Sequence, residues 1–111
     1  MVAGLRRAGK TTLARAYPDA RFLFYWRDKQ KHEVDFVVKP GRAARVIAIE
    51  CTATAGALDP AGLAAFRRRH PTGDNWLVCL DAPEASVRRV GGVEVDVVPY
   101  AELGARLDAL A

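Results

Sequence analysis

Between Arg45 and Leu80 the chain reads strand, helix, strand, and this unit constrains the fold more than any other feature. Residues 45–52, Arg-Val-Ile-Ala-Ile-Glu-Cys-Thr, are an apolar, strand-like run. Asp59 before Pro60 is a helix start, a capping side chain followed by proline at the first helical position. Leu63 and Phe66 stand three apart on one side of that helix, and His70-Pro71 ends it. Residues 76–80, Trp-Leu-Val-Cys-Leu, are continuously apolar, the pattern of a strand covered on both faces. Two strands joined through a helix lie parallel in one sheet, with a right-handed crossover. The chain is therefore expected to be an α/β protein.

The remaining segments complete that sheet. Residues 22–27, Phe-Leu-Phe-Tyr-Trp-Arg, and 33–38, Glu-Val-Asp-Phe-Val-Val, read as strands either side of a polar hairpin turn, Asp28 to His32. Pro40-Gly41 turns the chain into the strand at 45–52, so the first three strands form a meander. Gly91-Gly92 introduces a strand at 93–98, where Val93, Val95 and Val97 alternate with Glu94 and Asp96. A first helix is predicted over 9–17, stopped by Pro18, and a last one over 100–110 with Leu103, Leu107 and Leu110 on one side. The predicted order is helix-strand-strand-strand-helix-strand-strand-helix, a mixed sheet with flanking helices. Arg88 and Arg89 fall in a loop in this reading.

With 111 residues, half of them hydrophobic, the chain has enough for one small domain. No apolar run approaches the roughly 18 residues of a membrane helix, and Met-Val-Ala-Gly-Leu-Arg-Arg lacks the apolar core of a secretory signal. Cys51 and Cys79 lie in apolar runs and suit buried thiols, which points to a reducing cytoplasm. A formal charge of +4 permits an anionic partner, nucleotide or nucleic acid. Its basic residues are spread over several clusters, including Arg67 to Arg69 at a helix end. His32 reads as a turn residue, and Tyr25, Trp26 and Trp76 as core aromatics.

Two constellations carry chemistry. The first is Gly4-Leu-Arg-Arg-Ala-Gly9-Lys10-Thr11, which fits the phosphate-loop pattern GxxxxGK[ST]. In such a loop Gly4 and Gly9 let backbone N–H groups wrap a phosphate, Lys10 reaches the outer phosphates, and Thr11, next to Thr12, holds Mg²⁺. ATP with Mg²⁺ is the implied cofactor. Only three residues precede Gly4, and no strand ending in aspartate follows to supply the metal carboxylate. Hydrolysis is therefore not expected, and residues 1–18 are read as a loosely anchored remnant beside a domain at 19–111.

The second constellation is acidic. Glu33 and Asp35 are two apart on one strand; Glu50 and Thr52 are two apart on the next. A period of two puts each pair on one face, so Asp35, Glu50 and Thr52 are expected to converge there. Carboxylates brought together in this way need a cation, and Mg²⁺ suits oxygen ligands. Glu33, Asp35 and Glu50 are the candidate metal ligands.

Both constellations resemble parts of one family. Gly-Leu-Arg-Arg-Ala-Gly-Lys-Thr-Thr-Leu-Ala-Arg resembles the phosphate loop of bacterial and archaeal AAA-type ATPases. The run from Phe24 to Phe36, with Ile47-Ala-Ile-Glu50 and Val97-Val-Pro-Tyr-Ala-Glu-Leu, resembles the domain C-terminal to those ATPases. That domain's fold is similar to PD-(D/E)xK restriction endonucleases. The resemblance implies a restriction-endonuclease-like core with Asp35 and Glu50 as metal-binding carboxylates. It also implies a lysine two residues after the glutamate, where this chain has Thr52. A helix with its own acidic residue belongs before the aromatic strand, and residues 9–17 stand in its place. These departures lead to the expectation of a truncated, internally deleted member without catalytic activity, retaining weak nucleotide or nucleic-acid binding. The alternatives are a Mg²⁺-dependent nuclease with Lys31 or Lys39 in the lysine's role, and a structural interaction module.

Overall fold

The computed structural model describes residues 2–41 and 45–110. Among these residues six strands form one mixed sheet: β1 (Leu23–Arg27), β2 (Glu33–Val38), β3 (Ile47–Thr52), β4 (Asn75–Cys79), β5 (Ser86–Val90) and β6 (Val93–Pro99). Their order across the sheet is β1-β2-β3-β4-β6-β5. β1, β2 and β3 are the antiparallel meander expected from their turns. β3 and β4 are parallel, as the strand-helix-strand unit requires, and β6 adds parallel to β4.

Among the described residues, three α-helices cover the sheet. α1 (Val2–Ala16) and α3 (Leu103–Asp108) pack on one face. Leu5 and Leu13 of α1 join Ile47, Ile49, Cys51, Trp76 and Leu103 in one buried cluster. α2 (Ala61–Arg69) covers the other face, where Leu63 and Phe66 meet Val34, Val37, Ala48, Leu77 and Cys79. The two cysteines are thus buried on opposite faces of the sheet.

Asp59 starts α2 much as its sequence suggests, its Oδ1 accepting the Ala61 N–H at 3.0 Å. At the other end, Arg67 turns inward. Its guanidinium donates to Asn75 Oδ1 (2.8 Å) and to the carbonyls of Val46 (2.9 Å), Asp74 (2.6 Å) and His70 (3.0 Å). It ties the helix end to the entries of β3 and β4, so of the three arginines there it is structural, while Arg68 and Arg69 are exposed. Trp26 and Trp76 pack in the core as expected, Trp26 edge-on to Phe66 at 5.3 Å. Tyr25 does not: it is 54% exposed.

Two expectations need correction. β5 pairs antiparallel with β6 along its whole length, so Arg88 and Arg89 belong to a strand at the sheet edge and not to a loop. The first helix begins at Val2, not residue 9, and packs on the sheet through Leu5 and Leu13. Leu5, Gly9 and Leu13 recur every fourth residue and form its buried stripe, which is the spacing of one helix face. Through Leu5 and Leu13, α1 and the sheet share one buried cluster.

Candidate functional site

The irregular part of the sheet is where β2 carries its acids. β1 and β2 pair Phe24 with Val37 and then Trp26 with Val34. Tyr25 alone therefore stands against two residues, Asp35 and Phe36, and β2 is bulged there. A bulge puts neighbouring side chains on one side and breaks the alternation. Val34 and Val37 accordingly both face α2, whereas Phe36 faces α1. Asp35 also leans to the α1 side, where Arg6 Nε lies 3.2 Å from its Oδ1.

Regular pairing of β2 with β3 stops at Phe36 and Ile49, one step before Asp35 and Glu50. From there the side chains replace the ladder. Glu50 Oε1 accepts the Asp35 N–H at 3.0 Å, and Asp35 Oδ2 accepts the Cys51 N–H at 3.0 Å. Each carboxylate closes a backbone donor of the opposite strand. The two acids, with Arg6, Lys31, Glu33 and Gly62, line a cleft of about 320 Å³ at this opened end.

Burial dominates their electrostatics. It pushes the Glu50 carboxyl up to about 8, with the neighbouring Asp35 charge adding to the effect. At neutral pH Glu50 is therefore mostly protonated. Asp35 is also raised by burial, against the downward pull of the Cys51 N–H and Arg6. The Cys51 thiol is pushed up to about 12 by burial, then by Asp35 and Glu50.

The single-face arrangement of Asp35, Glu50 and Thr52 is not met. Alternation along β3 keeps Glu50 and Thr52 with Ala48 on the α2 side, and the bulge turns Asp35 toward α1. Thr52 is buried, and its hydroxyl donates to the Thr54 carbonyl at 2.7 Å, so it does not face the cleft. Glu33 lines the cleft wall but lies 3.9 Å from Arg27 Nε. Among the described residues no group of three or more His, Cys, Asp or Glu side chains is placed to hold a metal ion. Glu33, Asp35 and Glu50 nevertheless line the same cleft. Lys31 does line the cleft, placed by a left-handed backbone (φ 67°) in the turn closed by Asp28 and His32. Lys39 lies instead over the Phe24 ring, at 5.9 Å.

The phosphate loop is not formed either. Gly4, Gly9, Lys10, Thr11 and Thr12 are all inside α1. The hydroxyls of Thr11 and Thr12 donate to the helical carbonyls of Arg7 and Ala8, each at 3.1 Å. A phosphate cradle needs consecutive N–H groups turned to one point, and in a helix they are aligned along the axis and bonded. Amphipathic spacing decides the conformation here: Leu5 and Leu13 gain a core that a loop would forfeit.

Residues 8–103 match one family, the domain of unknown function DUF4143. The chain belongs to this family. No curated protein and no solved structure gives a match. The DUF4143 match begins within α1 and runs into the start of α3, so it spans both layers and the lining of the acidic cleft apart from Arg6. No helix among the described residues is long and apolar enough to cross a membrane.

Gly9 separates a helix from a nucleotide loop by experiment. A Cβ there would lie 3.4 Å from Cys51 Sγ, an ordinary contact. Gly9→Ala is expected to leave the DUF4143 domain as stable as before or more stable, by up to about 1 kcal/mol of helix propensity. Urea unfolding checks this; a loss of several kcal/mol would mean that Gly9 is not helical.

Proposed function

We propose that this DUF4143 domain is a catalytically silent relative of restriction-endonuclease-like domains, acting as an accessory module beside an AAA-type ATPase. Domains of this family are commonly found alongside such ATPases. The order α1-β1-β2-β3-α2-β4, with β3 and β4 parallel, supports the nuclease-like core. The observation that carries the silent reading is the reciprocal latch: Asp35 and Glu50 each accept a backbone N–H across the strand gap, and Arg6 takes a further Asp35 oxygen. A guanidinium thus stands against the carboxylate where a hydrolytic site needs a divalent metal. Thr52 adds no cation, and a nuclease needs one beside the attacking water.

No Mg²⁺-dependent nicking of supercoiled DNA is expected from the wild-type chain. Thr52→Lys alone is expected not to create it, because position 52 is buried and turned from the cleft. Plasmid nicking by wild type that disappears in Asp35→Ala would overturn the silent reading. Nicking that instead disappears in Lys31→Ala would identify Lys31 as the displaced cation and favour the nuclease alternative.

A further inference from the structure

α1 carries Arg6, Arg7, Lys10 and Arg15 and no acidic residue. Taking those four from the chain's 17 basic residues leaves 13, which its 13 acidic residues balance, so the whole formal charge of +4 rides on this helix. All four are exposed. Arg7 and Lys10 are three apart and so share a helix face, and among the described residues neither is in an ion pair with a carboxylate.

Beside that face lies a concavity that combines charge with aromatic surface. Arg6, Arg7 and Lys10 form one wall of a cleft of about 580 Å³, and Tyr25 and Phe36 lie along the other. Its two acids are already matched, Asp35 by Arg6 and Glu33 by Arg27. β1, which presents Tyr25, is an edge strand, so the cleft is open along the sheet margin. The volume suits a nucleotide-sized group.

We propose that this cleft between α1 and β1 binds single-stranded nucleic acid, with backbone phosphates on Arg7 and Lys10 and a base stacked on Tyr25. Cations track the backbone, and an exposed aromatic ring accepts any base by its π-face. A duplex hides those faces, so the exposed Tyr25 favours a single strand. The inference rests on the silent reading in one respect: the strand is held and not cut.

The test is fluorescence anisotropy with a labelled dT12 oligonucleotide and the full chain at 50 mM salt. The expected result is saturable binding that weakens steeply at 200 mM salt. Arg7→Glu with Lys10→Glu, both at exposed helix positions, is expected to weaken it at least about tenfold. Tyr25→Ala is expected to weaken it about fivefold or more, as the loss of one stacked base does, while barely affecting a duplex of equal length. Circular dichroism would show that both variants stay folded. Arg88→Glu, on the opposite sheet edge, is expected to change binding little. The proposal is overturned if the charge-reversed variant binds like wild type, or if Arg88→Glu has an equal effect. Tighter binding of a polyglutamate peptide, insensitive to Tyr25→Ala, would overturn it in favour of an acidic protein partner. Recovering the oligonucleotide after incubation with Mg²⁺ separates the two readings. Cleavage would sink the silent assignment and leave the cleft, whereas an intact, unbound strand would sink the cleft alone.

Discussion

From pH 5 to pH 9 the domain is expected to lose stability, and Glu50→Gln is expected to remove most of that loss. The folded-state carboxyl is raised to about 8, chiefly by burial, from an ordinary value of 4.5. Between those values the folded chain holds a proton that the unfolded chain has released, so stability falls as pH rises. The loss is complete once the pH exceeds the folded value. Each tenfold difference in proton affinity between the folded and unfolded chain is worth about 1.4 kcal/mol. The upper limit over this window is therefore on the order of 4 kcal/mol, a large share of a small domain's stability. Asp35, also raised by burial, contributes in the same direction above its own ordinary value. The amide introduced by Glu50→Gln would keep an acceptor for the Asp35 N–H and would not titrate. Urea midpoints at pH 5 and pH 9 decide the matter; equal slopes for wild type and Glu50→Gln would show that Glu50 is not buried as described.

The second large effect comes from Gly62, in the first turn of α2. A Cβ there would sit 1.9 Å from the Glu33 carbonyl oxygen, a backbone atom that cannot swing away. Gly62→Ala must therefore lift the helix from β2 at the mouth of the acidic cleft. A loss of about 3 kcal/mol is expected, the range of overpacking with backbone displacement. Helix propensity alone would give the opposite sign, a gain of about 1 kcal/mol. Gly9→Ala and Gly62→Ala are the same chemical change in two helices, and only tertiary contact makes their outcomes differ. Thermal melts of the pair would show it; a stabilised Gly62→Ala would mean that α2 stands further from the sheet.

The sequence made the sheet legible wherever burial imposed a pattern. Trp76 to Cys79 and Ile47 to Cys51 are covered on both sides, and their apolar runs placed β3, β4 and the helix between them. Ser86 to Val90 failed that test because it is an edge strand, exposed along nearly its whole length, and its two arginines have no buried face to alternate against. The N-terminal segment was misjudged for another reason. Its glycines and Lys10 matched a phosphate loop by spacing, while Leu5 and Leu13 matched a helix face, and burial of the leucines prevails. The bulge at Asp35 and Phe36 has no signature in Glu-Val-Asp-Phe-Val-Val, since the extra residue is defined only by its partner strand. One such residue turns Asp35 toward α1, while its carboxyl still shares the cleft with Glu50. Sequence spacing therefore placed the two acids on neighbouring strands, but did not show how they meet.

The cysteines give the two layers separate chemical markers. Cys51 lies under α1, Cys79 lies under α2, and the sheet stands between them. They cannot pair with each other while the fold persists, and burial holds both thiols protonated. An alkylating or oxidising reagent must wait for an opening on one side or the other. The chain thus records, in which sulfur is modified first, whether the basic helix or the crossover helix lets go more often.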